Sequence, residues 1–299
     1  MNTGKRRRVH RSAGSVAYDI VAYTLLTLLA VATIFPFYNV LVVSFTTETA
    51  IIKNPLMLWP QEFTLASYST ILSDQNFVRS FFNSLFITVT GTAYSMLLTT
   101  CGAFVLTKTH VKGIKFLFGM IVFTMFFGGG LIPTYINIVN LGIVDTFAAV
   151  ILPAGINTFY MIILINAMRD LPQGLEESAK IDGANEIVTL LRIIIPLCLP
   201  TLMAIMLFTI VDKWNEWYSS LLYLTDPKKW PMTYVVRSML NKITSITDPA
   251  TQQMLNKKEV FASGLQRAAI ILNILPIMVI YPFMQRYFAK GIMVGAIKG

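Results

Sequence analysis

Two stretches gather polar and ionisable side chains in a chain that is otherwise apolar. The first runs Glu176-Glu177-Ser178-Ala179-Lys180-Ile181-Asp182-Gly183-Ala184 and ends at Pro196 and Pro200. Glu176, Glu177 and Asp182 can meet basic groups on a partner protein. Ser178, Ala179, Gly183 and Ala184 are small enough for a partner surface to come close. The second stretch is Asp212-Lys213-Trp214-Asn215-Glu216-Trp217-Tyr218. Its carboxylates and amide can hydrogen-bond hydroxyl groups, and Trp214, Trp217 and Tyr218 can stack on the faces of a ring-shaped solute. Lys213 and Glu216 stand three apart, so an ion pair on one helix face explains them equally well. The aromatics also suit anchoring at a membrane interface. Asn83 and Asn157 can bond a hydroxyl-rich solute or join helices to one another.

Other chemistry is thinly represented. Cys101 and Cys198 lie inside apolar runs and have no metal or disulfide spacing; they read as small buried hydrophobes. His10 and His110 fall in basic segments and read as solvated. No Gly-x4-Gly-Lys-Ser/Thr phosphate loop occurs. The chain is therefore expected to hold no catalytic residue, no metal and no cofactor of its own.

The elements that position these stretches follow from composition. Of 299 residues 55% are hydrophobic and 13% charged, against about 25% charged in soluble domains. Too little polar surface remains to cover a water-soluble body, so the expected class is an all-α, polytopic transmembrane helical bundle. A span needs about 20 apolar residues, and six runs qualify, centred near Ala30, Gly91, Phe126, Leu152, Ile205 and Leu275. The net charge of +9 fits positive-inside bias and anionic membrane lipids rather than nucleic acid. Lys5-Arg6-Arg7-Arg8 and Arg11 precede a run too long for a signal-peptide core, so it reads as a retained first span.

The basic residues 1–16 form a tail expected in the cytoplasm. Residues 17–290 are expected to form the six-span transmembrane domain, and residues 291–299 a C-terminal tail on the same side as the N-terminus. The loop Lys108–Lys115 holds three lysines and no acid, which suits the inside. The loop Asn140–Asp145 has no Lys or Arg, which suits the outside. Two longer external loops, about 46–76 and 222–258, are expected. The first carries Pro55-Leu56-Met57-Leu58-Trp59-Pro60, a composition suited to the headgroup level. The second is basic and resists the charge rule. The polar stretch at about 170–196 then lies inside. Leu175 to Asp182 reads as a short helix, Gly183 as its left-handed terminator, Ala184 to Ile195 as a second helix, and Pro196 as the start of span five.

This pattern resembles the EAA coupling loop of ABC importer permeases. Glu177-Ser178-Ala179 stands for Glu-Ala-Ala, Gly183 follows after three residues, and Ile193-x-Ile195-Pro196 comes nine residues later. Asn83-Ser84-Leu85-Phe86, Trp214-Asn215-Glu216-Trp217 and the C-terminal run Gln285–Gly291 with Gly295–Gly299 resemble elements of sugar permeases. From about residue 80 onward the chain is similar to the MalG-like permease subunits of carbohydrate ABC importers. Gly128-Gly129-Gly130-Leu131-Ile132-Pro133-Thr134-Tyr135 further resembles a branch linked to complex plant or algal oligosaccharides.

The resemblance implies a type I ABC importer permease fold in a bacterial cytoplasmic membrane. It implies a second homologous permease, two ATPase subunits carrying ATP and Mg, an external substrate-binding lipoprotein and an oligosaccharide substrate. It also implies that Glu176, Glu177, Ser178, Ala179, Asp182, Gly183, Ala184 and Pro196 form the ATPase-coupling element. The tail Gly295–Gly299 is a further ATPase contact in maltose-type subunits. Asn83, Asn157, Trp214, Asn215, Glu216, Trp217 and Tyr218 are the candidates for the substrate path. Two alternatives stay open: an ABC permease for a non-sugar solute, and a secondary transporter, although repeated halves and midplane carboxylates are not evident.

Overall fold

The computed structural model describes residues 13–54, 56–172, 174–244 and 264–283. The basic run before Ala13, the C-terminal signature and much of the second external loop lie outside the described residues. Among the described residues the chain is helical, with one isolated bridge between Thr46 and Phe63. They fall into two compact units, one within 1–69 and 250–271, the other within 70–249 and 272–299.

The first unit is dominated by α1, Ala13–Ser44, a 32-residue helix with Pro36 inside it. None of its apolar window is buried within the chain, as expected of a helix whose solvent is lipid or another subunit. Only its last turn is covered: Val42 and Val43 cluster with Ala50, Ile51 and Met57 around α2, Glu48–Lys53. Tyr38 donates to the Leu58 carbonyl at 2.5 Å, and Phe45 stacks on Phe63 and Tyr68. Leu56, Leu58 and Trp59 remain exposed, the disposition of a segment lying at headgroup level. Helix α3 spans Ala66–Ser73.

The second unit is organised around α4, Gln75–Thr107, whose first turn is capped by Asp74 accepting from the Asn76 amide at 2.8 Å. Ser80, Ser84, Thr88, Gly91, Ser95 and Thr99 recur every three or four residues and are buried. Such a stripe of small residues lets helices approach closely where apolar burial cannot drive association, because lipid is equally apolar. α8, Thr158–Arg169, and α12, Leu199–Asn215, pack along α4. Their core holds Phe104, Met161, Leu164, Ile165, Ile194, Leu202 and Ile205.

Three of the six expected runs are broken rather than continuous helices. α5, Ile114–Phe126, and α6, Leu131–Asn140, meet at 117° across Gly128-Gly129-Gly130. The run centred near Leu152 is divided: α7, Phe147–Ile151, ends there, and α8 starts only at Thr158. Pro153 denies the backbone a donor and Gly155 favours an irregular backbone, so an apolar run need not be one helix. The fifth is a pair bent by 84°, Glu186–Leu197 and α12. Among the described residues three helices are long and apolar enough to cross a membrane by themselves, or up to five if each bent pair forms one span. The last of the three is the helix Gly264–Phe283.

Candidate coupling turn and membrane cavity

The 170–196 segment folds as a helix, a tight turn and a second helix. α9 spans Gly174–Ile181, two residues after Pro172, with Glu176 and Glu177 in its first turn, where carboxylates favour the positive end of the helix dipole. It stops in a Schellman motif: the Ala184 amide bonds the Ala179 carbonyl at 2.9 Å and the Gly183 amide bonds that of Lys180 at 3.1 Å. The motif needs a left-handed residue, and Gly183 supplies φ +81°. Asn185 caps the next helix through its Oδ1 and the Val188 amide at 2.8 Å.

That second helix is less regular than expected and starts two residues later. α10 covers Glu186–Thr189, a π-turn follows over Leu190–Ile194, and α11 covers Ile195–Leu197. Its start is displaced from Ala184 to Glu186 because Ala184 is consumed by the Schellman bond and Asn185 by the cap. Pro196 cannot donate to the preceding turn, which fits a π-turn just before it.

Ala179 is buried, whereas Glu177, Ser178, Asp182, Gly183 and Pro196 are exposed and Ala184 is half-buried. Beside these small and acidic residues the turn displays Ile181, 86% exposed, and Ile187. Glu176 pairs with Lys108, the residue that ends α4. Lys108 also reaches Glu186 at 3.3 Å, and Glu186 meets Lys180 at 3.0 Å. The Lys180 hydrogen bond, joined by Lys108, holds the Glu186 carboxyl below its ordinary range. Lys108, Glu186 and Lys180 were not among the candidates named from sequence; Lys108 lies 68 residues from Glu176, a separation that leaves no spacing signal.

The second site is a cavity of about 450 Å³ between α4, α5, α8 and α12, where the broken helices end. Asn157, Glu216, Asp212, Tyr160, Thr124 and Thr158 line it. Tyr160 donates to Asp212 at 2.9 Å and its ring stacks on Phe208. Lys213 does not use its ammonium on Glu216; it donates to the Ala154 carbonyl at 2.7 Å, and its stem runs over Gly91. Asn157 caps α8 by accepting from the Phe159 and Tyr160 amides, and Glu216 accepts from Ser219 at 2.8 Å.

The other path candidates sit apart from this cavity. Trp214 is 3% exposed, its indole donating to the Asn273 carbonyl at 2.9 Å and its ring edge-on to Phe81. Asn83 donates to the carbonyls of Lys228 and Trp230. Trp217 lies under the Arg237 guanidinium at 3.5 Å and edge-on to Tyr218, and Asn215 is exposed. Asp212, named with the second polar stretch, lines the cavity, and so does Tyr160, three residues from Asn157 in sequence, which was not among the candidates.

At the opposite end from the coupling turn, Asp145 ties two loops. Its Oδ1 accepts from the Thr225 and Asp226 amides at 3.0 Å each, and its Oδ2 meets Lys229 at 2.5 Å. The Lys229 hydrogen bond, helped by the Asp226 amide, lowers its carboxyl to about 2. Thus the two loops expected outside meet each other, as do the two expected inside.

Comparison with known proteins agrees with this arrangement. Residues 104–294 match the family described as binding-protein-dependent transport system inner membrane component. The chain is 38% identical to Protein LplC of Bacillus subtilis, over 97% of this chain and 98% of that one. It is 36% identical to the polygalacturonan/rhamnogalacturonan transport system permease protein YtcP of the same organism, over 94% and 98%. A bacterial ABC transporter involved in the import of the acidic polysaccharide alginate superposes with a TM-score of 0.85 at 26% identity, covering 93% of this chain and 98% of that one. The chain belongs to the binding-protein-dependent transport system inner membrane components, the permease subunits of ABC importers.

Proposed function

We propose that this permease carries an oligosaccharide of plant or algal cell-wall type across a bacterial cytoplasmic membrane. An external binding protein delivers the solute, and two ATPase subunits drive the cycle. It works beside a second, homologous permease as a six-span chain with both termini inside: a basic tail at 1–16, the permease domain at 17–290 and a tail at 291–299. The broken helix pairs and the short α8 account for the spans that a length criterion alone leaves out. ATP and Mg are handled by the ATPases, and this chain contributes shape and movement rather than hydrolysis.

The observation that carries the reading is the turn at Gly183. A Schellman-closed corner with an exposed Ile181 and Ile187, flanked by Glu177 and Asp182, is a surface shaped for a protein rather than for lipid or water. Glu176, Glu177, Ser178, Ala179, Asp182, Gly183, Ala184 and Pro196 serve there as the ATPase-coupling element, Ala179 and Pro196 by setting the corner's geometry. In the solute path, Asn157 and Glu216 act with Asp212 and Tyr160 around the cavity. Trp217, Tyr218 and Asn215, which lie outside that lining, act at the approach to it, while Trp214 and Asn83 act as frame. The carboxylates and the phenol suit hydroxyl groups, and the Tyr160–Phe208 stack offers an apolar face to a sugar ring.

ATP-dependent uptake by proteoliposomes holding the complete importer tests this, with labelled trigalacturonate as the probe and maltotriose and glutamine as comparisons. Saturable, ATP-dependent entry of an oligosaccharide is expected. Entry of glutamine alone would replace the sugar reading with a non-sugar ABC permease. ATP-independent entry driven by a proton or sodium gradient would replace it with a secondary transporter.

A further inference from the structure

We infer that Lys108 is the positioning residue that makes the coupling turn move together with α4. The inference rests on the coupling role proposed above for residues 176–196. α9 has eight residues, below the about 12–15 residues an isolated helix needs to persist in water, whereas α10 runs on through the π-turn into α11 and is held in the core by Leu190 and Ile194. A helix as short as α9 cannot pass on a push unless something holds it to the bundle. Ala179 and Thr189 bury against the unit, but they leave the exposed rim of the corner free to hinge.

Lys108 closes that hinge from the membrane side. It is the C-cap residue of α4, and its side chain is 11% exposed although its surroundings are polar. From that one point its ammonium reaches Glu176 on α9 and Glu186 on α10, and sits 4.1 Å from the centroid of the Phe104 ring on α4 itself. Glu186 is held in turn by Lys180. One cation thus joins three helices, and each half of the corner contributes one carboxylate. Arg169, at the end of α8, makes a parallel but weaker tie, donating to the Leu106 carbonyl at 3.3 Å.

The other end of α4 is tied as well. Asn83 holds the Lys228 and Trp230 carbonyls, and the Ser84 hydroxyl accepts from the Met232 amide at 2.7 Å. Between these ends α4 passes the cavity at Ser95 and carries the Lys213 stem over Gly91. A 33-residue helix spans about 50 Å, so α4 is a strut from coupling turn to outer loop, and Lys108 is its inner fastening.

The test uses the complete importer in nanodiscs, with Cys101→Ala and Cys198→Ala and nitroxides at Gly174→Cys on α9 and Val105→Cys on α4. Pulsed EPR of the native Lys108 protein should give a narrow distance distribution, both without nucleotide and after vanadate trapping. Lys108→Met and the pair Glu176→Gln with Glu186→Gln should each broaden it, and Lys108→Arg should restore it. Solute carried per ATP hydrolysed, with trigalacturonate as probe, should fall about tenfold in Lys108→Met. It should recover in part in the swap Lys108→Glu with Glu176→Lys. A narrow distribution in Lys108→Met would overturn the inference, as would an equal loss in Lys108→Arg. Gly183→Trp separates this from the coupling reading. If Gly183→Trp leaves transport coupled, the coupling role itself fails. If Gly183→Trp uncouples while Lys108→Met behaves as native, only the role of Lys108 fails.

Discussion

The coupling turn and the Asp212–Tyr218 segment are the two polar islands of this chain, and they use their side chains in opposite ways. Around Gly183 the backbone closes its own hydrogen bonds through the Schellman motif and the Asn185 cap, which leaves Glu177, Asp182 and Ile181 facing outward. Around Trp214 the side chains close the frame: Trp214 bonds Asn273, Lys213 bonds Ala154, and Glu216 bonds Ser219. A polar motif offers itself to a partner only when its backbone is satisfied locally. In a membrane, where no water is at hand to satisfy what the fold omits, the same residue types are drawn into holding helices together.

That contrast breaks first at Trp214. Trp214→Ala removes a buried ring and orphans a carbonyl, and should destabilise the protein by about 3 kcal/mol. Its thermal midpoint in detergent should drop well below that of Trp214→Phe. An unchanged midpoint, with uptake lost, would return Trp214 to the solute path. Next comes Gly183→Val, which forces a β-branched residue into φ +81° at about 1–2 kcal/mol. Uptake should fall far more than expression, and Gly183→Asn should be tolerated because Asn enters this region more readily. An undiminished uptake in Gly183→Val would mean the corner is not under tension from a partner.

Smaller effects sharpen the cavity side. Tyr160→Phe deletes the bond to Asp212 and should cost about 1 kcal/mol, which corresponds to about fivefold in half-saturation for trigalacturonate if the pair also meets solute. A change in stability without any change in half-saturation would make the pair a helix tie alone. The outer tie has a pH signature. Because the Asp145 carboxyl is lowered to about 2 in the folded protein, its contribution is fully present above the ordinary carboxylate value. It is lost as pH falls through about 2. Hydrogen exchange at the Thr225 and Asp226 amides should be slower than in Asp145→Asn at pH 5, with the difference vanishing near pH 2. Least affected should be Asn215→Ala, an exposed change expected within about 0.5 kcal/mol by thermal midpoint.

Legibility from sequence followed the same division. The corner at Gly183 was readable because its logic is local: a helix of eight residues, a left-handed glycine, then a capped second turn, all within about a dozen positions. The start of the second helix was missed by two residues, since the Schellman bond and the Asn185 cap compete for Ala184 and Asn185. The bundle was readable as a class, but the run near Leu152 was taken as one span although Pro153 and Gly155 interrupt it. Composition averages over a break that two residues create. For the solute path, residue type pointed to Trp214 and Asn83, whose polar atoms the fold uses internally, and passed over Tyr160.

By itself, then, the sequence determined what depends on near neighbours and on bulk composition. It set a helical membrane chain, a polar corner terminated by Gly183, and the match of that corner and its flanking motifs to ABC importer permeases. The tertiary structure alone decided which polar groups are free. Lys108 meets Glu176 across 68 residues and Asp145 meets Lys229 across 84. Trp214 turns inward toward Asn273, while Asp212 turns toward a cavity that exists only where α5, α8 and α12 meet the middle of α4. Hydrogen bonds and ion pairs act over a few ångströms, so their partners are set by packing, and no spacing along the chain encodes them.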